Sequence, residues 1–379
     1  MGTNIIKLTG RIDTSNAPEW EQRIMQQLSA EKENAFDASE LEYISSAGLR
    51  ILMKARKKAS SGMRIFDVSP DVYEIFDMTG FTELFKVEKR LRELSVEGCE
   101  IIGKGFYGTV YRIDPETIVK VYDSPDSIPM IQNEQRLAKR AFVKGVPTAI
   151  SYDIVKVGKS YGTVFELLKA SSFNDHLINE PENFDALMKK YVDFLKVVHS
   201  VEMDAGTIPM ARDTFIGYLD VITDYITPEQ HDRLKEMLSA VPDDLHMIHG
   251  DFQMKNVLLV DDEPMLIDMD TLATGQPIFD LQALYVTYIS LGDNLDVFLG
   301  IPDGMGETIW DRILENYFDT ADKAELSVIN DKISLLASIR ALFLLAVTDL
   351  KNGETGEMRI RLSQKCVNEA LDKVDSFIL

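Results

Sequence analysis

Cysteine is almost absent from this 379-residue chain, which has only Cys99 and Cys366. Two cysteines so far apart make neither a metal-ligand spacing nor a disulfide framework, so two free, buried thiols in a reducing compartment are expected. A long apolar run is also lacking. The most apolar stretch, residues 335–347, is interrupted by Arg340 and falls short of the roughly 20 apolar residues that a membrane helix needs. It reads as a buried core helix. The opening run Ile5-Ile6-Lys7-Leu8 is not the pattern of a secretory signal, and a cytoplasmic protein without a membrane segment is expected. Basic charge is scarce as well, with 40 Lys and Arg against 62 Asp and Glu. The deficit is local: residues 1–95 hold 14 basic and 15 acidic residues, the remainder 26 and 47. Such a break separates two domains. The acidic one offers no basic surface for nucleic acid, so no nucleic-acid partner is expected.

What is present is the composition of a soluble globular protein, 45% hydrophobic and 27% charged, long enough for two or three domains. Residues 1–95 alternate strand-like and helix-like segments. Asn4–Leu8, Asn34–Asp37 and Met63–Val68 read as strands. Helical spacing puts Trp20, Ile24 and Leu28 on one face, Leu49, Leu52, Met53 and Ala55 on another, and Val72, Ile75 and Phe76 on a third. That alternation predicts a small α/β sheet with helices packed on it. The charged segment Glu83–Glu100 reads as mostly helical and as the bridge between domains. From 96 onward an α+β domain is predicted, with a β-rich lobe to about 168. A lobe from about 169 to 379 follows, helical apart from a β-rich interruption between His246 and Asp270.

Three pieces of this second domain carry chemistry. Gly103-Lys-Gly105-Phe-Tyr-Gly108-Thr-Val110 spells G-x-G-x-x-G-x-V between two strands. Glycines let a turn's backbone approach nucleotide phosphates, and Val110 would lie against the adenine. Lys120 sits within the apolar strand Ile118–Tyr122, where a buried ammonium needs a partner; Glu134 on the next helix is the candidate. The third piece is Ile248-His-Gly-Asp-Phe-Gln-Met-Lys-Asn-Val-Leu-Leu259, followed by Met265-Leu-Ile-Asp-Met-Asp270. Asp251 can orient a hydroxyl nucleophile and take its proton. Asn256 and Asp268 are hard oxygen ligands suited to Mg²⁺ on ATP phosphates. His249 and Gly250 shape the loop. Asp270 and Glu315 are acidic residues available to a cationic acceptor.

His249-Gly-Asp251, Asn256 and Leu266-Ile-Asp268 resemble the H-G-D-x-x-x-x-N and later I-D of the aminoglycoside phosphotransferase family, the choline-kinase-like relatives of protein kinases. Phe279-Asp-Leu281 and the helix ending at His199 extend the resemblance, in which Asp280 holds the catalytic loop. The resemblance implies a bilobal protein-kinase-like fold over about residues 100–379 and ATP-dependent phosphorylation of a small-molecule hydroxyl. It also implies an adenine hinge after the strand Gly162–Leu168, near Glu166 and Leu168. Asp268 is not followed by Phe-Gly and no Ala-Pro-Glu segment occurs, so the activation apparatus of protein kinases is missing.

Phe36–Leu52 and Val68–Phe85 resemble the STAS domain of anti-sigma-factor antagonists. In that family a serine at the start of the second helix is phosphorylated, which changes the binding of a protein partner. Ser46 matches that position, with Ser45 as the neighbouring alternative, and a helix N-terminus suits a hydroxyl or phosphate. The fusion opens an alternative function, in which the kinase domain phosphorylates a protein serine such as Ser46.

Overall fold

The computed structural model describes residues 3–59, 63–105, 108–302 and 304–379. The chain divides into two compact units, residues 1–97 with 154–162, and residues 98–153 with 163–379. Each has its own hydrophobic core.

In the first unit the order is β1 (Asn4–Ile12), α1 (Ala17–Gln27), β2 (Asn34–Ile44), α2 (Ser46–Lys58), β3 (Met63–Val68), α3 (Pro70–Met78), α4 (Phe81–Leu84) and β4 (Lys86–Lys89). The strands form one sheet in the order β1-β2-β3-β4, all parallel. Parallel neighbours need crossover connections, which the helices supply. Register aligns Ile6, Phe36, Ile65 and Val87 in one row across the sheet. Trp20 and Ile24 of α1, Leu49 and Leu52 of α2, and Val72 and Phe76 of α3 are buried as their spacing predicts. Met53 and Ile75 are only partly buried.

Two expectations fail here. β2 runs on past Asp37 to Ile44, because Ala38, Leu41 and Ile44 continue inward while an extra residue of β2 at each of two register shifts keeps the strands paired. The segment 83–100 is not helical beyond Leu84, where α4 ends. Phe85 stacks on Phe81 and is buried, Val87 pairs opposite Ile65, and tertiary pairing draws the charged run into β4 and β5 (Arg92–Glu93). Arg92 and Glu93 pair in parallel with Val155 and Lys156, which attaches 154–162 to this unit.

The second unit begins with β6 (Glu100–Lys104), β7 (Gly108–Asp114), β8 (Thr117–Tyr122) and α5 (Ile128–Val143). β10 (Ser160–Glu166), whose residues from 163 onward belong to this unit, comes after β9 (Asp153–Val157), which but for Asp153 belongs to the first; β10 lies beside β8 in the order β10-β8-β7-β6. Beyond residue 169 helices dominate, among them Phe184–His199, Ala211–Val221, Met305–Phe318, Lys323–Val347 and Gly353–Ala370. The interruption lies where the sequence places it. Met247–Ile248 pairs with Ala273–Thr274, and between them Val257–Val260 and Glu263–Leu266 form a hairpin. The apolar stretch 335–347 lies in the Lys323–Val347 helix, buried along much of its length. Both cysteines are free, but half-buried rather than buried.

Candidate active site

The glycine motif forms the turn between β6 and β7, with Gly103 opposite Val110 and Val110 opposite Lys120. Its three glycines serve different ends. A Cβ on Gly108 would run into the Val121 carbonyl, so the sheet itself demands glycine there. Around Gly103 and Gly105 the nearest atoms to an added Cβ are 3.7 and 3.8 Å away. Packing among the described residues does not explain these two, and the space they leave suits a phosphate chain. Gly105 N–H donates to the Gly108 carbonyl at 2.9 Å and closes the turn. Residues 106 and 107 of the motif lie outside the described residues.

Lys120 projects from β8 with its side chain 19% exposed. Its Nζ lies 3.5 Å from Glu134 Oε1 and bonds to Asp268 Oδ1. Burial opposes the ammonium charge, but Glu134 and Asp268 outweigh it and raise the lysine above its ordinary range. Glu134, buried on α5, is fixed by the Tyr122 hydroxyl, which donates to Oε2 at 2.7 Å. Burial, then the nearby Glu134 charge, raises that phenol.

Asp251, Asn256 and Asp268 are brought together by the hairpin 257–266. Its two ends are tied by Ile267 N–H, which donates to the Asn256 carbonyl at 3.0 Å. Asn256 is buried, and its Nδ2 donates to Asp251 Oδ2 at 3.0 Å. Gln253 Nε2 donates to the same oxygen at 3.0 Å. Oδ2 thus takes both amide donors, Oδ1 has no hydrogen bond among the described residues, and Asn256 keeps its Oδ1 as an acceptor. Asp268 stands at φ 57°, a left-handed conformation uncommon outside glycine and concentrated at functional sites. Asp270, two residues on, is raised to about 7 by burial and by the charges of Glu134 and Asp268.

Beneath the loop Asp280 is fully buried. Its carboxylate accepts from His249 N–H at 2.9 Å and Gly250 N–H at 2.5 Å, and His199 Nε2 lies at 3.0 Å. Burial favours the neutral acid, yet these partners hold it ionised and below the ordinary range. His249 Nε2 meets the Ile267 carbonyl at 3.1 Å, and a Cβ on Gly250 (φ 83°) would come within 2.6 Å of the Thr271 carbonyl. Both residues shape the loop. Arg340, from the helix Lys323–Val347, donates to the Gly250 carbonyl and places its other terminal nitrogen 3.8 Å from Asp251 Oδ1.

Tyr122, Gln253 and Arg340 were missed from the sequence. Tyr122 shares a strand face with Lys120, two residues away, which was a usable signal. Arg340 showed only as a cation within an apolar run. Glu315 does not join the site: its carboxylate is paired with Arg312 at 3.2 Å. Glu166 ends β10, and Leu168 follows in the connection to the helical lobe. Among the described residues, no cluster of three or more His, Cys, Asp or Glu side chains could hold a metal by itself. Two oxygen donors, Asn256 and Asp268, fit an ion that takes its other ligands from phosphates and water, the habit of Mg²⁺.

A small β lobe feeding a helical lobe, with a Lys–Glu pair above a His-Gly-Asp loop, defines a kinase-like phosphotransferase. A model of the phosphotransferase enzyme family (APH) matches residues 98–313, more than half of the chain, and the chain belongs to that family. A STAS-domain model matches residues 2–94. BtrV of Bordetella bronchiseptica, named as a candidate anti-sigma factor antagonist, is 31% identical over 90 residues, 23% of this chain and 78% of that protein. A thermostable mutant of aminoglycoside phosphotransferase APH(4)-Ia, in its apo form, shares the fold. Its TM-score is 0.50 at 11% identity, over 73% of this chain and 97% of that one. ADP-bound APH(2'')-Ib has a TM-score of 0.48 at 16% identity, over 80% and 97%.

Proposed function

We propose that this chain transfers the γ-phosphoryl group of Mg²⁺-bound ATP to a hydroxyl of a small molecule, and that its STAS domain couples the enzyme to a protein partner. The observation that carries this reading is the convergence of Asp251, Asn256 and Asp268 on the two ends of one hairpin, with Lys120 bonded to Asp268.

Asp251 orients the acceptor hydroxyl through Oδ1 and takes its proton as the oxygen attacks phosphorus. Lys120, steadied by Glu134, releases Asp268 and binds the α- and β-phosphates. Gly103, Gly105 and Gly108 let the backbone close over the phosphates, and Val110 covers the adenine. Leu167 N–H is engaged by the Glu116 carbonyl at 2.7 Å, which leaves the backbone of Glu166 and Leu168, on either side, for the adenine edge. When bound, Mg²⁺ held by Asn256 and Asp268 offsets charge on the transferring phosphoryl group.

The test is nucleotide binding by calorimetry, with and without Mg²⁺, together with ATP consumption screened against amino alcohols, sugars and aminoglycosides. Asp251→Ala is expected to keep nucleotide binding and lower transfer by about 10²–10⁴-fold. A wild-type protein that binds no nucleotide with Mg²⁺ present would overturn the proposal.

A second reading has its own support. Ser46 is exposed at the first residue of α2, whereas Ser45 precedes it with a buried Oγ that has no hydrogen-bond partner. Ser46 is therefore the accessible acceptor for phosphorylation by this or another kinase. Intact mass spectrometry after incubation with ATP should show one added phosphate on wild type and none on Asp251→Ala or Ser46→Ala. No addition to wild type would remove the self-phosphorylation reading and leave the small-molecule one standing.

A further inference from the structure

Away from the active site, the helical lobe holds an apolar groove of about 330 Å³. One wall is the helix Phe173–Asn179 and the residues after it, contributing Leu177, Ile178 and Phe184. The other is the segment leading into the helix Met305–Phe318, contributing Ile301, Pro302 and Met305. The walls are joined by Asn174 Nδ2, which donates to the Leu299 carbonyl at 2.6 Å from a buried position. Lys255, next to Asn256, bonds the Phe298 carbonyl and ties the second wall to the catalytic loop. The groove is therefore built into the fold, with its depth fixed before anything binds. Its volume is at the low end for ligand pockets, enough for one bulky side chain. Just before the second wall in the chain, the short helix Leu295–Leu299 leaves Val297 72% and Phe298 46% exposed, and Ile178 of the first wall is 41% exposed. Exposed large apolar side chains beside a groove are a mark of interaction sites.

Acidic residues predominate in the two stretches that carry the walls. Residues 175–185 hold Asp175, Glu180, Glu182 and Asp185, the second stretch holds the exposed Asp296, Glu307 and Asp311, and the cations met there are Lys255, engaged by the Phe298 carbonyl, and Arg312. Arg312, which follows the second stretch, is already paired with Asp185 and with Glu315. An apolar floor inside an acidic rim repels nucleic acid and anionic lipid alike, and it attracts a cationic, partly apolar ligand. A groove with room for one side chain and charged residues outside it suits a peptide segment, whose neighbouring residues reach the rim, better than a compact metabolite.

We propose that this groove docks a basic, amphipathic segment of a partner protein, one aliphatic or aromatic side chain seated against Ile178 and Met305 with Lys or Arg residues flanking it at the rim. Binding there is independent of which hydroxyl the active site phosphorylates. The anchor supplies most of the affinity, and the rim charges supply orientation and encounter rate.

A random 12-residue peptide phage library selected on the full chain tests this, with selected peptides synthesised bearing fluorescein and titrated by anisotropy. Peptides with Leu, Ile or Phe between basic residues are expected, with affinity falling at least 10-fold for Ile178→Asp. A fall of similar size is expected for the double charge reversal Glu182→Lys, Glu307→Lys, both on exposed residues. Raised salt should weaken binding. Should Ile178→Asp unfold, the charge reversal decides alone. Selection of acidic peptides, absence of a consensus, or unchanged affinity for the folded variants overturns the proposal. So does self-association of the chain that Ile178→Asp abolishes, which would give the groove to a second copy.

Discussion

Arg340 holds the catalytic loop from a helix almost ninety residues downstream, through the Gly250 carbonyl and the neighbourhood of Asp251 Oδ1. Placement of a base to within about an ångström is worth on the order of 10²-fold in rate. Arg340→Met is accordingly expected to lower turnover by about that factor while ATP affinity, measured by calorimetry, stays put; Arg340→Lys should recover part of the loss. Asp280 acts by a different route. It satisfies two loop N–H groups and His199 without exposure to solvent, and each buried donor left without its partner costs about 1–3 kcal/mol. Its hydrogen-bonding and charged partners outweigh burial and hold its carboxyl below the ordinary carboxylate range in the folded protein. The stabilisation is therefore complete above that range and lost as pH falls through the lower folded value. Urea midpoints for Asp280→Asn should lie below wild type by the same margin at pH 8 and pH 5, and the gap should narrow only in more acid solution.

Among the elements, the β6–β7 hairpin separates two uses of glycine that a motif cannot tell apart. Gly108→Ala sets a methyl against the Val121 carbonyl and should lower the melting temperature. Gly105→Ala meets no such contact among the described residues; its melting temperature should match wild type while nucleotide affinity falls, as calorimetry with Mg²⁺ and ATP would record. The hairpin 257–266 is the element that matters most for the site. Asn256 and Asp268 are twelve residues apart in sequence, and the antiparallel pairing of Val257 with Leu266 brings the residues that flank it together. The sequence showed the residues and a strand between them, but only pairing turns that separation into proximity.

Across the whole molecule two cores divide the chain, and each contains one tryptophan, Trp20 in the first unit and Trp310 in the second, both buried. Single-tryptophan variants therefore report each unit separately. Urea unfolding followed by Trp310 in Trp20→Phe should shift to higher urea when Mg²⁺ and ATP are added, by about 2.7 kcal/mol at a hundredfold excess over Kd. Trp20 in Trp310→Phe should not shift with ligand if the nucleotide binds the second unit. Equal shifts in both would contradict that assignment.

The parallel sheet's helices, the β-to-helical order of the second unit and the spacing of Asp251, Asn256 and Asp268 were legible in the residues because each is a local property: periodicity, turn chemistry, or a fixed count along the chain. The run 83–100 was misread for the complementary reason. Its helix-like charge pattern is a local preference, and strand pairing with β3 and stacking of Phe85 on Phe81 override it. The partnership of Arg340 with the catalytic loop, of His199 with Asp280, and of Tyr122 with Glu134 was likewise decided only by the tertiary structure. The amino-acid order by itself determined which chemical groups exist and which local elements carry them. Which of those groups meet depends on packing between segments far apart in the chain, where burial forces each charge to find a partner that no local pattern names.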